Sequence, residues 1–180
     1  MAIDTHWDNV VLLLPMEGAN DVPIVQDLKG HGVVVSGNAK LSTAQSPVSV
    51  GSSLYLDGAN SPGSYIYTAD SEDWDFSTFP YTIEFWVYVV ALDATETWLL
   101  HQSNGVGGQS PVHIKLSTTG QIVVDGSITN SGWHFTGLST SALSLSAWHH
   151  IEVSDDGTTF RVFVDGAVGA SRATWSKTDS

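Results

Sequence analysis

The sequence predicts an all-β fold, an antiparallel domain built from many short strands. Three observations carry the prediction. Asp-Gly or Asn-Gly pairs stand at Asp57-Gly58, Asn104-Gly105, Asp125-Gly126, Asp156-Gly157 and Asp165-Gly166. Such pairs tolerate the positive φ angles of tight reversals, so each marks a point where a strand can turn back. The segments near them are short and rich in Val, Ile, Leu, Phe and Tyr, and no stretch sustains a helical period beyond a turn or two.

In chain order, residues 10–14 (VVLLL) form a continuous apolar run closed by Pro15, expected as a strand buried on both faces. Residues 17–32 carry turn-forming residues and read as loop. Residues 33–35 (VVV) make a short strand stopped at Gly37-Asn38. Residues 53–56 run into the Asp57 turn, residues 64–67 form the next strand, and an acidic loop at 70–75 leads to the longest strand, 81–89. There alternation sends Ile83, Phe85, Val87 and Val89 to one face and Thr82, Glu84, Trp86 and Tyr88 to the other. The first set is a core face; the second is half aromatic, hence either covered or used. Residues 98–101, 112–116, 121–124 and 133–135 continue the series. Residues 149–153 and 159–164 close it, joined at Asp156-Gly157, with 142–148 as a loop or a single helical turn between.

A chain of 180 residues, 42% apolar, suits one domain with a real core, expected to span residues 1–180. Nineteen acidic side chains face six basic ones, a net charge of -13. That balance disfavours nucleic acid, whose binding relies on neutralising phosphates with Lys and Arg, and it disfavours an anionic membrane surface. The longest apolar run is far too short to span a bilayer, so no membrane insertion is expected. Without cysteine there is neither a disulfide framework nor a thiolate metal site. The first residues lack the basic and apolar regions of a secretory signal, which predicts that the protein reaches the outside of a cell by assembly or lysis.

Three signatures, taken in order, resemble the laminin G-like, or concanavalin A-like, jelly roll. The first is GSSLYLDG at 51–58, similar to an early strand ending in an Asp-Gly turn. The second is FPYTIEFWV at 79–87, similar to the family's aromatic-Thr-hydrophobe-x-x-Trp-Val strand. The third and most specific is Trp148-His149-His150-Ile151-Glu152-Val153, then Asp156-Gly157, then RVFVDG at 161–166. The resemblance covers roughly residues 10–170 and implies an antiparallel two-sheet jelly-roll β-sandwich. Members usually continue past the last Asp-Gly turn with further strands, the final one beside the first. The short remainder here predicts a fragment, or a sandwich completed by another segment or subunit in a homo-oligomer.

Relatives of this fold include glycoside hydrolases, which need two carboxyl groups about 5–5.5 Å apart for retaining chemistry. Glu84 is the lone acid of its strand, and Glu152 has His150 as its same-face neighbour with no second acid, so no enzyme is expected. Asp70, Glu72, Asp73 and Asp75 lack the EF-hand spacing and read as a solvated loop. The resemblance implies a structural Ca2+ in the first long loop, with Glu17, Asp21 and Asp27 as its candidate ligands. His150 and Glu152 share a strand face without a third ligand nearby, and His101 and His113 read as half-buried polar residues.

Seven tryptophans and five tyrosines are the remaining lead, because aromatic rings stack on sugar faces and anchor interfaces. Trp86 and Tyr88 are the in-sheet candidates, with Trp98, Trp133 and His134 expected to flank the same surface; Trp74 and Trp175 fall in loops. Jelly rolls of this kind recur as attachment domains of phage structural proteins. The expectation is therefore a non-catalytic virion module, in a tail fibre, capsid fibre or decoration protein, that recognises cell-surface glycan through weak sites displayed many times. The alternatives are a purely architectural subunit held by other virion proteins and, behind it, a glycoside hydrolase.

Overall fold

A computed structural model describes residues 5–47, 51–58, 63–76, 80–102, 110–127 and 132–174. The Asn104-Gly105 pair, Phe79 and Trp175 lie outside these. The chain forms two compact units, Met1–Trp74 and Asp75–Ser180.

In the first unit, β1 (Val33–Ser36) pairs antiparallel with β4 (Tyr65–Thr68), and β2 (Lys40–Ser42) with β3 (Ser53–Tyr55). Gly37 ends β1 at φ +65, and a Cβ there would meet the Gly63 carbonyl oxygen at 2.4 Å, so only glycine fits. Asp57, of the Asp57-Gly58 pair, accepts hydrogen bonds from Asn38 Nδ2 at 2.7 Å and Ser64 Oγ at 2.6 Å. The acidic stretch near residue 72 contains one 3-10 turn, Glu72–Trp74.

Residues 10–14 are a correction: they form no strand, and Val11 and Leu12 are exposed. Apolar content supplies a reason to bury a segment but no ladder to pair with. This one is pinned as irregular chain, with the Leu13 N–H donating to Asp27 Oδ1 at 2.8 Å and the Leu28 N–H donating to the Leu13 carbonyl at 2.9 Å. With no strand here, there is no edge for another segment or subunit to cover.

The second unit contains β5 (Tyr81–Tyr88), β6 (Thr97–His101), β7 (His113–Leu116), β8 (Gln121–Gly126), β9 (Phe135–Ala142), β10 (Trp148–Asp155), β11 (Thr159–Val164) and β12 (Ala167–Ala173). They make two four-stranded antiparallel sheets, ordered β12-β11-β10-β5 and β6-β7-β8-β9. Ile114, Leu116, Ile122, Val124 and Phe135 from one sheet form a single core with Ile151, Val153, Phe160 and Val162 from the other. The Phe135 and Phe160 rings meet at 5.3 Å. Each such side chain contributes about 1.5–3 kcal/mol when fully buried. The fold is the expected all-β, two-sheet jelly-roll sandwich. On β5 the alternation holds, with Ile83, Phe85 and Val87 packed on the core and Trp86 outward, 52% exposed.

The turns divide into two kinds. Asp165 and Gly166 have φ +52 and +77 and join Val164 to Ala167 as a two-residue reversal. Asp125-Gly126, expected as a turn, lies inside β8. Gly126 serves packing there: a Cβ would stand 2.4 Å from the Phe135 ring. The end of β9 and all of β12 carry little apolar alternation, being rich in Gly, Ala, Ser and Thr, and hydrogen-bonded ladders to β8 and β11 hold them.

Candidate functional site

On β6 the sequence Trp98-Leu99-Leu100-His101 would, in a regular strand, send Trp98 and His101 to opposite faces. The register shifts between Trp98 and Leu100: Trp98 pairs with Lys115, Leu100 with Ile114 and His101 with His113. Leu99 is the extra residue of this bulge, and both leucines pack on the core. Trp98 and His101 thus share the face turned away from the core. Their rings lie 4.8 Å apart, and each lies 4.8 Å from the ring of His113 on β7. Trp133, just before β9, stacks on His113 at 6.0 Å and 20°. The following N–H, of His134, donates to the Gly126 carbonyl at 2.9 Å and sets that connection against β8. His134 itself is half-buried.

The next positions on this face are charged. The Lys115 ammonium donates to Asp125 Oδ2 at 2.8 Å and Glu96 Oε2 at 3.0 Å. Burial works against the Lys115 proton, but these two carboxylates win and raise its pKa. Asp125 also accepts the Gly137 N–H at 2.7 Å. His113 is buried, and neither ring nitrogen has a hydrogen-bond partner; the Asp125 carboxylate stands 4.0 Å from Nδ1, beyond hydrogen-bonding reach. Burial first, then the nearby His101 and Lys115, push its pKa down to about 4. Burial also lowers His101, whose Nδ1 lacks a partner. Over this pair stands Trp98, 59% exposed.

Trp86 and Tyr88 lie elsewhere, on the outer face of the other sheet. Trp86 faces His150 across the β5–β10 ladder at 5.1 Å, and Tyr88 faces Trp148 at 5.4 Å. The five residues expected on one surface therefore divide between two sheets, because β5 and β6 belong to different layers of the sandwich. The register also sets Glu152 directly opposite Glu84, correcting the reading that neither has a second acid beside it. Glu84 stands on open sheet, its side chain 64% exposed, with His150 Nε2 at 3.4 Å.

The proposed calcium ligands belong to the first unit. Both oxygens of Asp27 are engaged by its own chain, accepting the N–H groups of Leu13, Lys29 and His31 and bonding His31 Nδ1 at 2.7 Å. Burial raises the Asp27 carboxyl, but these donors outweigh it and bring the pKa down to about 2. Asp21 pairs with Lys40 at 2.5 Å, and Glu17 is exposed. Among the described residues no three His, Asp or Glu side chains gather as a metal centre. Asp27 thus orders this loop through hydrogen bonds from its own chain.

Sequence reasoning set His101, His113 and His150 aside as structural or half-buried polar residues and did not single out Trp148. The signal for the last two was the Trp-His-His motif once paired with β5. That His101 and His113 face each other had no sequence signal, because the bulge decides which way His101 points.

A search of curated proteins returned no match. Among solved structures, an S-layer domain-containing protein from Clostridium thermocellum is similar, with a TM-score of 0.53 and 21% identity over 92% of this chain and 73% of that one. A galectin from Caenorhabditis elegans overlaps less, with a TM-score of 0.30 and 16% identity over 53% of this chain and 74% of that one. The family model described as the concanavalin A-like lectin/glucanases superfamily, of laminin G type, matches residues 49–180. That span holds the 51–58 strand, the β5 strand and the Trp-His-His and Asp-Gly hairpins. The chain belongs to this laminin G-type family of the concanavalin A-like lectin/glucanases superfamily.

Proposed function

We propose that this chain is a non-catalytic recognition module that binds carbohydrate on the outer face of the β6–β9 sheet. The carrying observation is Trp98, more than half exposed yet braced by two imidazoles at 4.8 Å, beside the Lys115–Asp125–Glu96 group. An indole held in place loses little freedom when a sugar ring stacks on it, and polar neighbours orient the ring's hydroxyls. Single sites of this shallow kind are weak and gain strength by repetition. Lack of cysteine and the charge of -13 suit repeated display on a particle, and a virion fibre or decoration protein is the setting we assign.

A glycosidase reading draws on the Glu84–Glu152 pair alone. That pair stands on an open sheet face, whereas bond cleavage needs a sugar ring enclosed between its two carboxyl groups. A contact between particle subunits is the better second reading, favoured by the outer face of β5 and β10, where exposed Trp86 stands beside the half-buried rings of Tyr88 and Trp148.

A glycan array probed with the intact protein and with Trp98→Ala and Trp86→Ala separates the readings. The proposal expects binding that Trp98→Ala reduces at least tenfold and Trp86→Ala leaves within twofold. An array with no response, or a response lost only with Trp86→Ala, overturns it. Its presence in purified particles, by mass spectrometry, tests the setting.

A further inference from the structure

We infer that the Trp98 platform takes an uncharged polyhydroxylated ring, one hydroxyl of which completes the His113 and His101 imidazoles, and that acidic sugars are turned away. The inference rests on the recognition reading above and specifies its ligand.

Three observations converge. His113 is 5% exposed with both ring nitrogens unpartnered, and Nδ1 of the adjacent His101 is unpartnered too. A buried polar group left unpaired is costly, so a site that keeps three such atoms together is suited to a partner from outside the chain. The required chemistry follows from the imidazole. In its neutral form each ring has one donor and one acceptor, and burial holds both rings toward that form. A hydroxyl is itself donor and acceptor and matches both, whereas a carboxylate only accepts and an ammonium only donates. Finally, the charges beside the rings are one ammonium and two carboxylates, Lys115 against Asp125 and Glu96. An anionic ligand meets a net negative surround whose one cation among the described residues, Lys115, is already doubly paired, with Glu96 half-exposed beside it.

The His113 ring lies between the two indoles, edge-on to Trp98 and stacked on Trp133. Trp133 sits outside the ladder, two residues before β9 begins. A hydroxyl reaching the imidazole would have to displace the Trp133 ring.

The test compares immobilised neutral oligosaccharides (cello-, manno- and galacto-oligosaccharides) with oligogalacturonate and hyaluronate, using the full chain. At least one neutral probe is expected to bind at least tenfold more tightly than either acidic one. His113→Phe, which keeps the ring and removes both nitrogens, is expected to weaken that neutral binding at least tenfold while leaving the thermal midpoint unchanged or higher. His101→Phe provides a second variant with the same expected direction. Glu96→Gln is expected to narrow the gap between neutral and acidic probes. Acidic probes binding as well as neutral ones, or neutral affinity unchanged in both phenylalanine variants, overturns the inference and leaves the recognition reading standing. No binding to any probe on this panel or the wider array overturns both.

Discussion

Asp165 holds two consecutive histidines at once: its Oδ2 bonds His149 Nδ1 at 2.8 Å, and its Oδ1 accepts the His150 N–H at 2.9 Å. The Trp-His-His strand entry and the Asp-Gly turn, read in the sequence as separate parts of one signature, are joined by this carboxylate. His149 Nε2 reaches on to Ser144 Oγ at 2.9 Å, which ties the β9–β10 loop to the same point.

Replacing Asp165 should therefore act through both a hydrogen bond and a backbone angle. Asp165→Asn keeps tolerance of φ +52 and part of the hydrogen bonding, so it should cost about 1 kcal/mol. Asp165→Ala loses both and should cost more. Denaturant titration of the two variants checks the order; equal losses would sink this account.

Gly126→Ala should be damaging although Gly126 occupies no turn. The added methyl would enter the Phe135 ring at 2.4 Å, and overpacking of this kind costs about 1–3 kcal/mol. Combining it with Phe135→Leu should recover part of the loss, visible in the unfolding midpoint as non-additivity.

Acid should weaken the second unit through His113. Its folded-state pKa, about 4, lies below the ordinary 6.5, so the unfolded chain takes up the proton first. Stability is then complete above about 6.5 and falls as pH drops toward 4. The groups facing it are His101, Lys115, Asp125 and Glu96. Subtracting the pH–stability curve of His113→Phe isolates the contribution, which should rise with pH across that window. His31 runs the other way: hydrogen bonds to Asp27 and Asp73 raise its pKa, so its contribution is present below 6.5 and fades as pH climbs through the raised value.

Asp27→Asn should loosen the first loop without unfolding the second unit. Hydrogen exchange should accelerate at the Leu13, Lys29 and His31 amides, which donate to this carboxylate, and remain unchanged at Ile151 and Val162. In the unaltered protein the same loosening should set in only as pH falls from 3.8 toward 2. Added Ca2+ should leave those exchange rates as they are.

The fold was legible wherever local chemistry and long-range pairing agree. β5 alternates, Asp165-Gly166 turns, and β10 with β11 form a hairpin, all from residues close together in the chain. Residues 10–14 misled because apolarity was read without a partner ladder. Asp125-Gly126 misled because a glycine needed for ring packing looks the same, in one dimension, as a glycine needed for reversal. The candidate site was half legible. Its indoles, Trp98 and Trp133, stand out by composition, but the facing of Glu152 with Glu84 and of His101 with His113 depends on register, which no short window encodes.

Leu99 is the spare residue of β6. Shortening the chain there by one would restore an even ladder and still leave Trp98 and His101 side by side, because the ring positions answer to the partners Lys115 and His113. At a strand position without such a bulge the same deletion would turn the strand inside out. This corner of the sandwich can absorb a change of length while keeping its aromatic surface intact.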